Sequence, residues 1–178
     1  YLTADYALMS DEPEKILRAA HIAAKLFGAK NIVIALEKQN RELVKVFQSC
    51  IDFSDDISFK LLPNTYPQGG ELQLIKAVTG KEIPKGSIPA NEGVVVSNVG
   101  TLWAIYNAVE NGKANTERIV TVSGTGAKKY GNLSTPSNFN RGFENQTGLP
   151  IEGSNKSLRK LSPFTFRIVL PPVLTVSS

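Results

Sequence analysis

The sequence predicts an α/β fold: a mostly parallel sheet with crossover helices on its faces. Two observations carry this. Segments with apolar residues at helical spacing alternate with short apolar runs of strand length, and glycines stand where the helical segments should stop. A third observation bears on function. Two of the turns from strand to helix, Tyr66-Pro67-Gln68-Gly69-Gly70-Glu71 and Ser97-Asn98-Val99-Gly100-Thr101, combine glycine or small polar residues with the start of a helix.

The elements follow in order. Ser10 or Asp11 is expected to cap a first helix with Pro13 in its opening turn; Ile16, Leu17, Ala20, Ala24 and Phe27 form its apolar face, and Gly28 stops it. Asn31 to Leu36 reads as a buried strand. Gln39 to Ser49, with Leu43, Val44 and Phe47 on one side, reads as the next helix, and Ile57 to Leu62 as the next strand. Leu72, Leu74, Ile75 and Val78 fit one face of a short helix ending at Gly80. Ile83 to Ala90, rich in Pro and Gly, is expected to be a loop or small hairpin. Gly93 to Val96 reads as a strand, and Leu102, Trp103, Ile105, Tyr106 and Val109 as the face of a helix closed by Gly112. Such alternation predicts parallel strands, and parallel sheets bind ligands at the carboxyl ends of their strands, where both junctions fall.

A helix begins with N–H groups that lack intrahelical partners and with the positive end of its dipole, so an anion docks there readily. Gly69 and Gly70 carry no side chain, which allows close approach to the main chain and positive φ. Asn98 and Thr101 fall in the first turn of their helix, where each either caps the helix or contacts a phosphate. Together the junctions suggest a bound nucleotide or flavin.

The series Tyr1-Leu2-Thr3-Ala4-Asp5-Tyr6, Tyr66 to Glu71, Asn98 to Thr101 and Thr121-Val122-Ser123-Gly124 resembles the C subunit of the Rnf-type electron-transport complexes, itself similar to the flavin-bearing, NADH-oxidising subunit of respiratory complex I. The resemblance spans about residues 1 to 132. It implies FMN in a cleft, NADH stacked against it, and electrons leaving through iron-sulfur clusters. By position, Tyr66, Gly69 and Glu71 match the loop beside flavin and nicotinamide, with Gly70 in the same loop, while Asn98 and Thr101 match the segment holding the ribityl chain and phosphate. Ser97 stands where the family usually has a second Asn; its hydroxyl donates but reaches less far. Read without the resemblance, Glu71 simply complements the helix dipole. The two uses are compatible.

The resemblance also implies what lies elsewhere. The family's glycine-rich phosphate loop and an acidic strand end should lie upstream of Tyr1, so residues 1–118 are expected to be an α/β flavin domain without its amino-terminal part. Residues 119–178 are expected to begin a small β-grasp domain and then to diverge into an irregular or aberrant tail after about Leu133, with one strand in Phe164 to Leu170. The family's iron-sulfur centres need runs of the type C-x2-C-x2-C-x3-C-P, and this sequence has Cys50 alone, so the clusters are expected in other parts of the parent protein. The implied setting is the cytoplasmic face of a bacterial inner membrane, in contact with other subunits of the complex.

Composition bounds the alternatives. With 178 residues and 42% hydrophobic content the chain can bury one core. No apolar run approaches the roughly 18 residues that span a bilayer, so a soluble or peripheral protein is expected. Residues 1–124 carry 13 Lys and Arg against 14 Asp and Glu; residues 125–178 carry 7 against 2. The basic character therefore belongs to the tail, where charges scatter among Ser, Asn, Gly and Pro without aromatic stacking positions, which argues against nucleic acid. One cysteine excludes an internal disulfide, and Cys50 is expected to be a small core residue. His21 lacks ligand-type neighbours at metal spacing; Trp103 and Tyr106 are expected in the core, and Asp55 and Asp56 in a solvated turn.

The reading is a partial flavin and NADH module of an Rnf-like complex, inactive as an isolated piece. Its rivals are a cofactor-free domain of the same fold that docks neighbouring subunits, and a related flavoprotein that reduces cobalamin.

Overall fold

In the computed structural model, residues 3–51, 56–64, 70–123 and 130–136 are described, together with the backbone of 167–170. The sheet is organised by β1 (Ile32–Glu37), a run of branched apolar residues that alternates between its two faces. Ile32, Ile34 and Leu36 enter one core cluster and Ala35 enters another. β2 (Ile57–Leu62) pairs parallel to β1, with Ile32 opposite Ile57 and Glu37 opposite Leu62.

Helices α1 (Ala4–Asp11), α2 (Pro13–Phe27), α3 (Glu42–Gln48) and α5 (Val99–Asn111) cover the first face. Helix α4 (Glu71–Thr79) covers the second, inserting Leu74 and Ile75 beside Leu62 and Val94. β3 (Val95–Asn98) follows a short 3-10 turn over Pro89–Glu92. The alternating α/β order is therefore realised, and α4 and α5 each end on a left-handed glycine, Gly80 and Gly112, as expected.

One departure concerns the sheet order, which is β2-β1-β6-β3, where β6 (Arg167–Leu170) lies between β1 and β3 and runs antiparallel to both. β1, β2 and β3 thus point the same way with one strand reversed among them. The tail strand expected within Phe164 to Leu170 is present, and it joins the main sheet.

Helix α1 was not expected from the sequence. Thr3 is at its N-cap position but makes no side-chain cap; Thr121, from β4 (Glu117–Val122), does this instead. Its hydroxyl accepts from the Thr3 and Ala4 N–H groups at 3.1 and 3.0 Å and donates to Asn132 Oδ1 at 2.9 Å. Asn132 lies opposite Thr121 on β5 (Gly131–Pro136), and its amide donates to Thr3 O at 3.3 Å. A two-stranded hairpin is marginal alone, and this clamp fastens the β4–β5 pair to α1. Thr121→Val keeps the β-branch and deletes the bonds, so it should lower stability by about 0.5–2 kcal/mol, the usual value of a cap. Thermal melts of Thr121→Val against Thr121→Ser check this, with the Ser variant, which keeps the hydroxyl, expected to melt close to the parent.

Other boundaries shift for local reasons. The cap position of α2 is Glu12 rather than Ser10 or Asp11, because α1 runs through both and the residue before Pro13 is the one driven out of the helical region. Phe27, placed on the apolar face of α2 by spacing, is 56% exposed, and Ala19 and Ala23 are buried in its stead. Leu72 and Val109 are likewise exposed. The expected helix from Gln39 to Ser49 divides into a 3-10 turn at Lys38–Asn40 and α3. β3 starts two residues later than expected, because Gly93 is left-handed and closes the preceding turn. Of the expected loop at 83–90, residues 83–88 form a loop with a tight turn, Ser87 N to Pro84 O at 2.9 Å, and Pro89 and Ala90 already belong to the 3-10 turn. Cys50 and His21 are partly buried, as are Trp103 and Tyr106, which pack against the main core. Asp56 is exposed; Asp55 lies outside the described residues. Among the described residues no helix is long and apolar enough to cross a membrane, and no three His, Cys, Asp or Glu could share a metal ion.

Candidate functional site

The carboxyl ends of β1, β2 and β3 form one rim, and the chain turns there from β3 directly into α5. Asn98 is both the last residue of β3 and the N-cap of α5, since its φ of −81° and ψ of 150° are extended while its side chain already serves the helix. Its Oδ1 accepts from Gly100 N at 2.7 Å. Its Nδ2 donates to Asp5 Oδ2 at 3.2 Å, so a single amide joins the first turns of α5 and α1. A Cβ on Gly100 would meet Asn98 Oδ1 at 3.1 Å, which explains why a glycine fits this turn.

Beside this junction lies a cleft of about 340 Å³, at the small end of ordinary ligand sites, roughly 300–1,000 Å³. Asn98, Gly100 and Thr101 line it from α5 and Ala4 and Asp5 from α1, while Asn115, Glu117 and Arg118 come from the start of the hairpin. Leu8, Trp103 and Ile119 form its apolar wall and separate it from a second hollow of about 250 Å³. The lining thus combines hydroxyl, amide, acid and guanidinium groups with an apolar floor. That set suits a polar organic ligand with an apolar body.

Trp103 is held at this wall by Glu12, whose carboxylate accepts the indole N–H on one oxygen and Lys15 Nζ, at 2.6 Å, on the other. The pairing continues outward along the neighbouring helices, Lys15 lying 5.9 Å from the Tyr106 ring and Arg18 bonding Glu110 at 2.7 Å. Partial burial pushes the Glu12 carboxyl up, but the bonds from Lys15 and Trp103 and the Lys15 charge outweigh it, leaving it below the usual carboxylate range. A depressed folded value means that the contribution to stability is present above the usual carboxylate pKa, about 4.3, and is lost as pH falls through the folded value. Glu12→Gln should therefore lower stability at pH 7 and converge with the parent in strongly acid solution. Urea melts at pH 7 and at successively lower pH check this, and a difference that does not shrink as the pH falls would contradict it.

The residues that the sequence nominated divide into four groups. Asn98 and Thr101 share the cleft. Ser97 precedes them on β3, partly buried, and is not among the lining residues. Gly70, in extended conformation, caps α4 and Glu71 opens it; they follow β2 toward the same rim but belong to the helix on the opposite face of the sheet, outside the lining of this cleft. Tyr66 and Gly69 lie outside the described residues. Asp5, Asn115 and Arg118 were missed as cleft residues. Asp5 belongs to the motif from Tyr1 to Tyr6, yet without α1 in view nothing in its spacing placed it against Asn98.

A polar cleft at the strand-to-helix turn is the place where open α/β sheets bind their ligands. The chain belongs to the family of the Nuo51 FMN-binding domain, whose model matches residues 1–107. It is also 35% identical over 133 residues to the C subunit of the ion-translocating oxidoreductase complex of Erwinia tasmaniensis. The proteins of that name from Pectobacterium atrosepticum and Salmonella arizonae are 37% and 34% identical over 133 residues. Each match covers 75% of this chain but only 16%, 19% and 20% of those relatives, so the chain spans about a fifth of their length or less.

Proposed function

We propose that this chain is part of an FMN-holding module of a membrane-associated electron-transport complex, one that takes electrons from NADH and hands them to iron-sulfur clusters borne elsewhere. The observation that carries the reading is the cleft at the β3–α5 turn, where Asn98, Thr101 and Asp5 converge in a chain of the FMN-binding family. When bound, FMN supplies the link between hydride chemistry and one-electron transfer.

The chain's own residues then hold and orient. The Thr101 hydroxyl and the N–H groups of the first turn of α5 suit the phosphate or ribityl end, and Asp5 suits acceptance from ribityl hydroxyls. Leu8, Ile119 and Trp103 keep water from the apolar side. Tyr66, Gly69, Gly70 and Glu71 are assigned to the nicotinamide side of the rim, with Ser97 as a lesser donor. No protein acid or base is required for hydride transfer. The partners are other subunits of the complex, on the cytoplasmic side of the membrane, and the chain from residue 119 opens a second small domain, with Arg167–Leu170 returned to the main sheet.

A second reading, a cofactor-free docking domain, draws on the Asp5 carboxylate, which already faces the start of α5 through Asn98. Titration of the chain with FMN separates the two: the flavin reading expects saturable quenching of flavin fluorescence and an altered absorbance band, whereas spectra of free flavin at every ratio leave the docking domain.

A further inference from the structure

The hairpin brings one cation to the cleft. Asn98, Gly100 and Thr101 line the cleft from the turn into α5, and Glu117 and Arg118 line it from β4; among the described residues Arg118 is the one basic side chain in that lining. The match to the FMN-binding family ends at residue 107, so β4 lies beyond the matched region.

The fold holds the backbone beneath Arg118 in place. Thr135 stands opposite it on β5, and the buried Thr135 hydroxyl donates to Arg118 O at 3.3 Å. Three residues further along β4, Thr121 fastens the strand to the start of α1. The Arg118 side chain is exposed, and among the described residues no hydrogen bond or ion pair engages its guanidinium. The two acids of the lining are committed elsewhere. Asp5 accepts from Asn98 Nδ2 at 3.2 Å, and Glu117 accepts from Ser134 Oγ at 3.1 Å.

This pattern bears on which end of a flavin the cleft accepts. The start of α5 supplies only about half a positive charge, and Asp5 already stands beside it. With two carboxylates in the lining, a phosphate needs a full positive charge at hand. A guanidinium supplies that charge at any working pH and matches phosphate oxygens with two parallel N–H groups.

We propose that Arg118 recognises the phosphate of the flavin at the first turn of α5, so that the hairpin beyond the family match makes the cleft selective for FMN over riboflavin, which has the same ring and ribityl chain without phosphate. The proposal rests on the flavin reading.

The test is equilibrium titration of the full chain with FMN and with riboflavin, read by fluorescence. The parent should bind FMN more tightly; Arg118→Gln should weaken FMN about tenfold, the scale of one charge-assisted contact, while leaving riboflavin unchanged. Arg118→Lys should recover part of the loss. Lys25→Gln, which removes one charge from the last turn of α2, outside the cleft lining, should leave both flavins unchanged. Circular dichroism checks that the variants fold. Should Arg118→Gln fail to fold, the Arg118 Nε–H resonance of the isotopically labelled parent decides, with a shift expected on adding FMN and none on adding riboflavin. Equal affinity of the parent for the two flavins, FMN binding unchanged in Arg118→Gln, or a loss in Arg118→Gln that riboflavin or Lys25→Gln shows equally would overturn the role of Arg118 and leave the flavin reading standing. An Arg118 resonance that ignores FMN while FMN binds would do the same. A parent that binds neither flavin overturns both.

Discussion

Phe47→Ala should destabilise the chain by about 3–5 kcal/mol, the range for emptying a fully buried aromatic site. Phe47 is wholly buried on α3, and its ring lies 6.2 Å from that of Phe59 on β2 at a tilt of 36°. The pair pins α3 to the sheet face that α1, α2 and α5 also cover, so the cavity would open among elements unable to collapse inward without losing their own contacts. Because domains of this size are stable by only about 5–15 kcal/mol, the substitution should remove a large share of the total. A urea midpoint reduced at unchanged slope is the expected signature. A loss below about 1 kcal/mol would mean that α3 does not seat on the sheet as described.

The second large effect belongs to Asn98. Its side chain does two things, accepting from Gly100 N and donating to Asp5, and two substitutions separate them. Asn98→Ala removes both; it should lower stability by about 0.5–2 kcal/mol as a lost cap and weaken FMN about tenfold or more as the turns of α1 and α5 lose their common link. Asn98→Asp keeps the acceptor for Gly100 and so should keep most of the stability, but it sets a second carboxylate beside Asp5 and against an incoming phosphate. FMN binding should then suffer more than folding. If both variants bind FMN as the parent does, Asn98 belongs to the fold alone.

Much of this architecture was legible because its signals are local. Strand β2 reads from Ile57 to Leu62 without error, and Gly28, Gly80 and Gly112 mark helix ends because each must take a left-handed φ, between 61° and 75°, that other residues resist. The features that escaped are those settled by partners distant in sequence. Helix α1 buries only Leu8 and Met9 and takes its cap from Thr121, more than a hundred residues away. The exposed Phe27 and Val109 sit at helix ends, where spacing alone cannot tell that the sheet has stopped beneath them. The reversal of β6 is set by its pairing with β1 and β3, strands far from it in sequence, which no local pattern of apolar residues encodes. At the site, the Asn98 cap was foreseeable from residue type, whereas its bond to Asp5 required both first turns to be in place.

The most direct measurement is a map of backbone amide shifts on adding FMN to the isotopically labelled chain. The account predicts saturable changes centred on Asp5, Gly100 and Thr101, with smaller ones at Arg118, and little change at α3. Shifts that stay in place at Gly100 and Thr101 while FMN is in excess, or that gather instead on the opposite face of the sheet around α4, would contradict the assignment of the cleft between α1 and α5 as the flavin site.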